Sequence, residues 1–115
     1  MTFISVASDA STVLPWRATT AIADADIVIW ADGTPRDDVL RNANGRADVI
    51  DSGRWTTHAL LPFYDLASRE GFRIAQIRSE IPARWDDVFE QMDRCCELGV
   101  ATEIVRCGPP GSRPA

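Results

Sequence analysis

Five short apolar runs, each separated from the next by a segment with helical or turn character, constrain this chain more than any single motif. The runs are Thr2–Ala7, Asp26–Trp30, Ala47–Asp51, Phe72–Ile77 and Thr102–Arg106. Between the first two, apolar residues Leu14, Ala18, Ala21, Ile22 and Ala25 recur at helical spacing, which predicts a helix from Ser11 to about Ala25. A short helix is expected over Pro35–Asn42, stopped by the Asn44-Gly45 turn. Over Thr56–Glu70, Leu60, Phe63, Tyr64 and Ala67 make one apolar face, Gly71 ends the helix and Pro62 should kink it. The last helix is expected over Pro82–Leu98, with Val88, Phe89, Met92, Cys95 and Cys96 inward and Gly99 as its stop. Strands joined by single helices cannot pair as hairpins, so they form crossover units in a parallel sheet covered on both faces. The continuous apolar run D-I-V-I-W suits a strand buried on both sides. The expected fold is α/β, in three layers, around a five-stranded and mainly parallel sheet.

The chain has 115 residues, enough for one domain, expected over residues 1–107 with a mobile tail over residues 108–115. A formal charge of −5 and a pI near 4.7 repel polyanions, and no basic stripe offsets this, so nucleic acid is not an expected partner. No apolar run reaches the roughly 18 residues of a membrane helix. The start, M-T-F-I-S-V-A-S-D, carries no secretory pattern, so a cytoplasmic protein is expected. Cys95, Cys96 and Cys107 fit neither a disulfide framework nor a zinc site, and His58 is the lone histidine. Reduced thiols and no metal centre are expected.

Ligands of open parallel sheets bind beyond the carboxyl ends of the strands. The first such segment, A-S-D-A-S, has no glycine, and no dinucleotide or P-loop fingerprint occurs anywhere. Asp9, Asp32 and Asp51 stand near strand ends, where carboxylates cap helices or close turns more often than they react. His58 reads as a solvated residue at a helix start, with no nucleophile in recognisable context. Trp30, Trp55 and Trp85 all fall at or just past strand ends. Such aromatic surfaces suit a planar ligand or an apolar patch on a partner, or they fill space at the rim of a small core.

Residues 74–92 read I-A-Q-I-R-S-E-I-P-A-R-W-D-D-V-F-E-Q-M. This stretch resembles the tetrapyrrole (corrin and porphyrin) methylases, above all precorrin-4 methyltransferases, in which a strand ends in H-S-G-D-P-S-L-Y-G and a helix follows with A-E-Q-M. Arg78, Ser79, Pro82, Trp85, Glu90, Gln91 and Met92 keep that register. Glu80-Ile81 stands where the family has Gly-Asp, and Asp86 where it has its last glycine. Further upstream, Ser5–Ser11 falls on the family's G-A-G-P-G-D-P, Asp24-Ala25-Asp26 on E-A-D, and Asp51-Ser52 with Thr56 on D-S-A-G-M-T. Near the end, Glu97–Val100 and Glu103–Val105 fall on E-A-L-G-I-P-Y-E-V-V.

The resemblance covers residues 1–107 and implies the fold of the family's N-terminal domain. In the family, S-adenosylmethionine lies between that domain and a second one, beside a trough for the tetrapyrrole. Together with the strand-end positions, this makes Asp9, Trp30, Trp55, Ser79, Glu80, Pro82 and Trp85 the candidate ligand-binding residues, with no catalytic residue assigned. With both glycine motifs rewritten, no cofactor is expected and the chain reads as a non-catalytic binding or interaction module. Its expected occupant is a methylase-like partner protein or a tetrapyrrole-like ligand, and a homodimer is the expected assembly. The alternative is half of an S-adenosylmethionine-dependent methyltransferase, completed by a second chain.

Overall fold

A computed structural model describes residues 1–6, 14–30, 41–51, 56–79 and 85–107. The elements are β1 (Thr2–Val6), α1 (Trp16–Asp24), β2 (Ile27–Trp30), β3 (Asp48–Asp51), α2 (Thr57–Glu70), β4 (Ile74–Ser79), α3 (Trp85–Glu97) and β5 (Glu103–Cys107). The strands form one sheet in the order β3-β2-β4-β1-β5, and every neighbouring pair is parallel. Strand–helix alternation has the consequence expected of it, a parallel α/β sheet.

Along each inner strand, successive side chains face opposite helix layers. Val28 and Trp30 of β2, Ile4 of β1, and Ala75 and Ile77 of β4 pack with Ala18 and Ile22 of α1. Ile27 and Ile29, Phe3, and Ile74 pack on the other face with Leu60, Tyr64 and Ala67 of α2 and Val88 and Cys95 of α3. The sheet is thus the middle of three layers. Ile4, Ile22, Ile29 and Ile77 are almost wholly buried, and each contributes about 2 kcal/mol of transfer free energy.

Local chemistry explains where the elements start and stop. Helix α1 begins at Trp16 rather than at Ser11, because Pro15 is its cap, in extended conformation at φ −66° and ψ 159°. The proline ring also disfavours helical geometry at Leu14. At the head of α2, the Thr56 hydroxyl accepts the Ala59 N–H at 3.3 Å. Gly71 ends α2 at φ 70°, its N–H donating to the Ala67 carbonyl at 3.1 Å. Gly99 follows α3 at φ 78°. A Cβ on either glycine would meet open space, so the left-handed backbone, not crowding, favours glycine there.

Strand β4 starts two residues later than its apolar run suggests. Phe72 is 41% exposed, and Arg73 ties the chain to the entry of β2. Its N–H donates to Asp26 Oδ2 at 2.8 Å, and its carbonyl accepts from the Asp26 and Ile27 N–H groups. Helix α3 is rotated from the expected face. Val88, Gln91 and Cys95 are buried, whereas Phe89 is 53% exposed and Cys96 is exposed. The spacing 88, 91, 95 makes one narrow stripe, and positions 89 and 96 lie about 100° around from it. Of the expected Pro35–Asn42 helix, Arg41 and Asn42 are helical. The rest of it and the 108–115 tail lie outside the described residues.

Burial pushes the Cys95 thiol up from 9.0 to about 11. The unfolded chain gives up this proton first, so stability is fully present below pH 9 and is lost as pH rises toward 11. A shift of this size corresponds to about 2–3 kcal/mol. Burial raises the Tyr64 hydroxyl as well, steepening the loss at the alkaline end. We expect the urea midpoint to fall from pH 9 to 11 and Cys95→Ala to delay the onset. A midpoint that stays flat over this window contradicts the assignment.

Candidate functional site at the carboxyl edge of the sheet

All five strands run the same way, so Val6, Trp30, Asp51, Ser79 and Cys107 end on one edge. That edge is stepped. Trp30 pairs with Ile77, so β4 continues past β2 by Arg78 and Ser79, which pair with Ser5 and Val6 of β1. The connection from β1 leads over α1 to β2, on one side of the sheet. The connection from β4 leads over α3, on the opposite face, to β5. Neighbouring strands whose connections depart in opposite directions leave a crevice between their carboxyl ends, where open α/β sheets place their ligands.

The residues singled out from sequence distribute around this crevice unevenly. Ser79 closes β4 and Trp85 opens α3. Asp9, Trp55, Glu80 and Pro82 lie outside the described residues. Among the described residues, β1 and β4 end side by side at this crevice, where Val6 pairs with Ser79. Trp30 is 8% exposed and packs in the core with Ile4, Val28 and Ile77; here the indole fills space. Asp51 is exposed at the end of the edge strand β3. His58 is exposed in the first turn of α2.

Beneath the β4 end lies a polar network that periodicity did not reveal. Tyr64 Oη donates to Gln76 Oε1 at 2.5 Å, and Gln76 Nε2 donates to Gln91 Oε1 at 2.7 Å. Gln91 Nε2 donates to Thr57 Oγ1 at 3.3 Å, and Arg78 Nη1 reaches Gln91 Oε1 at 3.5 Å. Tyr64, Gln76 and Gln91 are all buried. Burial, and then the neighbouring Cys95, hold the Tyr64 hydroxyl far above its ordinary range, so it acts as a hydrogen-bond donor. The network joins α2, β4 and α3. One signal for it stood in the sequence. Gln76 interrupts an apolar strand at an inward position, and a buried amide requires partners.

Among the described residues, no three His, Cys, Asp or Glu side chains group as metal ligands. No described helix is long and apolar enough to cross a membrane.

No protein-family model matches the chain, and no curated protein sequence matches it. Solved structures do. One is the X-ray structure of the cobalamin biosynthetic enzyme cobalt precorrin-4 methyltransferase CbiF, with a TM-score of 0.70 at 20% identity over 90% of this chain. Another is uroporphyrin-III-C-methyltransferase from Thermus thermophilus, with a TM-score of 0.68 at 17% identity over 94% of this chain. The matches span 44% and 48% of those two chains, less than half of either. The chain therefore has a tetrapyrrole methylase-like fold.

Proposed function

We propose that this domain is a binding module on a tetrapyrrole methylase-like fold, which takes a tetrapyrrole-like ligand or a methylase-like partner at the crevice between β1 and β4 and does not itself transfer methyl groups. One observation carries the reading. Both segments that leave this crevice, Ser5–Ser11 and Ser79–Trp85, contain no glycine. A cofactor that must lie against backbone N–H groups needs the close approach that glycine permits and that Cβ atoms obstruct. Methyl transfer is an in-line displacement, and its rate depends on holding donor and acceptor in one geometry. Glu80-Ile81, in place of the Gly-Asp of the resemblance, puts a carboxylate and a bulky apolar side chain in the segment where the donor would lie. We place the module in the cytosol, where Cys95 and Cys96 stay thiols.

Calorimetric titration of the purified chain tests this. No S-adenosylmethionine binding is expected at sub-millimolar concentration, whereas a uroporphyrin or corrin precursor should bind and quench tryptophan fluorescence. A micromolar dissociation constant for S-adenosylmethionine overturns the reading. Light scattering on the same sample should give a homodimer burying more than roughly 1,000 Å², to which the exposed Trp16, at 74%, contributes apolar surface.

A second reading is favoured by the coverage of the fold matches, under half of each methyltransferase. Under it the chain is one part of a methyltransferase site whose remainder belongs to another chain. S-adenosylmethionine affinity then appears only when that chain is added.

A further inference from the structure

The outer layer formed by α2 and α3 has its own groove, away from the carboxyl-edge crevice. It has a volume of about 570 Å³ and is lined by Thr57, His58 and Leu61 of α2 and by Glu90, Arg94 and the following Leu98 on the α3 side. Leu61 and Leu98 give it an apolar floor that joins the core beneath. Its walls are acidic. Asp65 and Glu97 also line it. Asp65 is held by Arg69 at 2.7 Å, and Glu97 by Arg94 at 2.8 Å. Glu90 is exposed and forms no ion pair among the described residues. The outer face of α3 adds exposed Asp87 and Asp93, so the groove and its rim carry five carboxylates, Asp65, Asp87, Glu90, Asp93 and Glu97, against the two guanidinium groups of Arg69 and Arg94. The surrounding carboxylates Glu97, Glu90 and Asp93 raise Arg94 above its ordinary range, as a negative potential must.

The geometry points to this groove as a docking site for a cationic amphipathic helix of a partner protein. Two packed helices present a furrow that accepts a third, about 10–12 Å across, whose apolar residues at helical spacing seat on Leu61 and Leu98. Its lysines or arginines then meet Glu90 and the outer carboxylates of α3. Charge decides among occupants. A second copy brought to the same face by a two-fold axis would set Glu90, Asp87 and Asp93 against their own duplicates, which costs association. Anionic ligands meet the same repulsion. A helix carrying the opposite charge gains on both counts, and its encounter rate is steered by the field. This inference concerns the helix layer and stands apart from any ligand at the carboxyl edge.

The test uses the full chain, isotopically labelled, and a synthetic amidated peptide with leucines at helical spacing and lysines elsewhere. Its twin, with glutamates for the lysines, is the control. Saturable one-to-one binding of the lysine peptide with a dissociation constant of about 10–100 µM, with amide shifts centred on Leu61, Glu90 and Leu98, is expected. Glu90→Lys should weaken it about tenfold, and added salt should weaken it further. Asp48→Lys, an equal change of charge on the distant strand β3, should alter it less than about twofold. Equal binding of the glutamate peptide, equal loss with Asp48→Lys, shifts spread over the whole surface, or no saturation would overturn the proposal. A change in self-association with Glu90→Lys would assign the groove to a second copy, and spermine matching the peptide would assign it to small cations. Either result also overturns it.

Discussion

Tyr64→Ala should cost about 4 kcal/mol of folding free energy and leave the chain largely unfolded at physiological temperature. Tyr64 has no exposed surface and sits between Leu60 and Ala67 on the face of α2 that packs on the sheet. Its removal empties an aromatic-sized volume in the layer that also holds Phe3, Ile29 and Cys95. Cavity and transfer terms add, and the partners sit on rigid strands that do not collapse to fill the space. The Gln76 carbonyl oxygen also loses its donor. A domain of this size has a total stability of about 5–15 kcal/mol, so this one side chain governs a large share of it. Urea denaturation followed by circular dichroism measures the loss, and a cost under 2 kcal/mol would show that the site collapses.

Gln76→Leu should cost about 3 kcal/mol, although it fills nearly the same volume with apolar atoms. The amide it removes bonds on both sides, accepting from Tyr64 and donating to Gln91. Leucine leaves a buried hydroxyl without an acceptor and deprives the Gln91 oxygen of its shortest donor, each costing about 1–3 kcal/mol. Tyr64→Phe alone should cost about 1–2 kcal/mol, because it leaves only the Gln76 oxygen short of a partner. Combined with Gln76→Leu, Tyr64→Phe removes the orphaned hydroxyl, so the double variant should be no less stable than Gln76→Leu alone. Additive costs in that cycle would mean that the two groups are not coupled.

The architecture was legible because alternation of short strands with helices admits few topologies, and a parallel sheet is the common one. Element edges were less so. A search for caps favours Ser11, but the backbone restriction at Pro15 acts more strongly and α1 starts behind it. Apolar counting extended β4 back to Phe72, where the chain is not yet a strand and Arg73 is tied by hydrogen bonds to Asp26 and Ile27. Phe89 and Cys96 were assigned inward by hydrophobicity, yet the buried stripe passes through Gln91. The Gln76–Gln91 pair illustrates why: patterning treats an amide as surface, while these two amides are satisfied in the core by each other, by Tyr64 and by Thr57. Among the site residues, Trp30 shows that a place at a strand end does not make an aromatic available, since the side chain of a strand's last residue still belongs to a face of the sheet.

Sheet order has a further consequence, for the moment of synthesis. β1 is translated first, yet its two neighbours are β4 and β5, and Thr2 pairs with Ala75 and with Glu103. β2 and β3 can meet early, since only the stretch from Trp30 to Asp48 separates them. β1 must wait for residue 79 before it can pair with β4, and for residue 107 before β5 covers its other edge. Until β4 emerges, β1 is an apolar strand with two open edges, the kind of segment that nascent-chain chaperones shield. Such long-range pairing also slows folding in solution. A circular permutant that begins at β4 and joins residue 107 to residue 1 would bring β4, β5 and β1 together in order of emergence, and would let the middle of the sheet close before its edge.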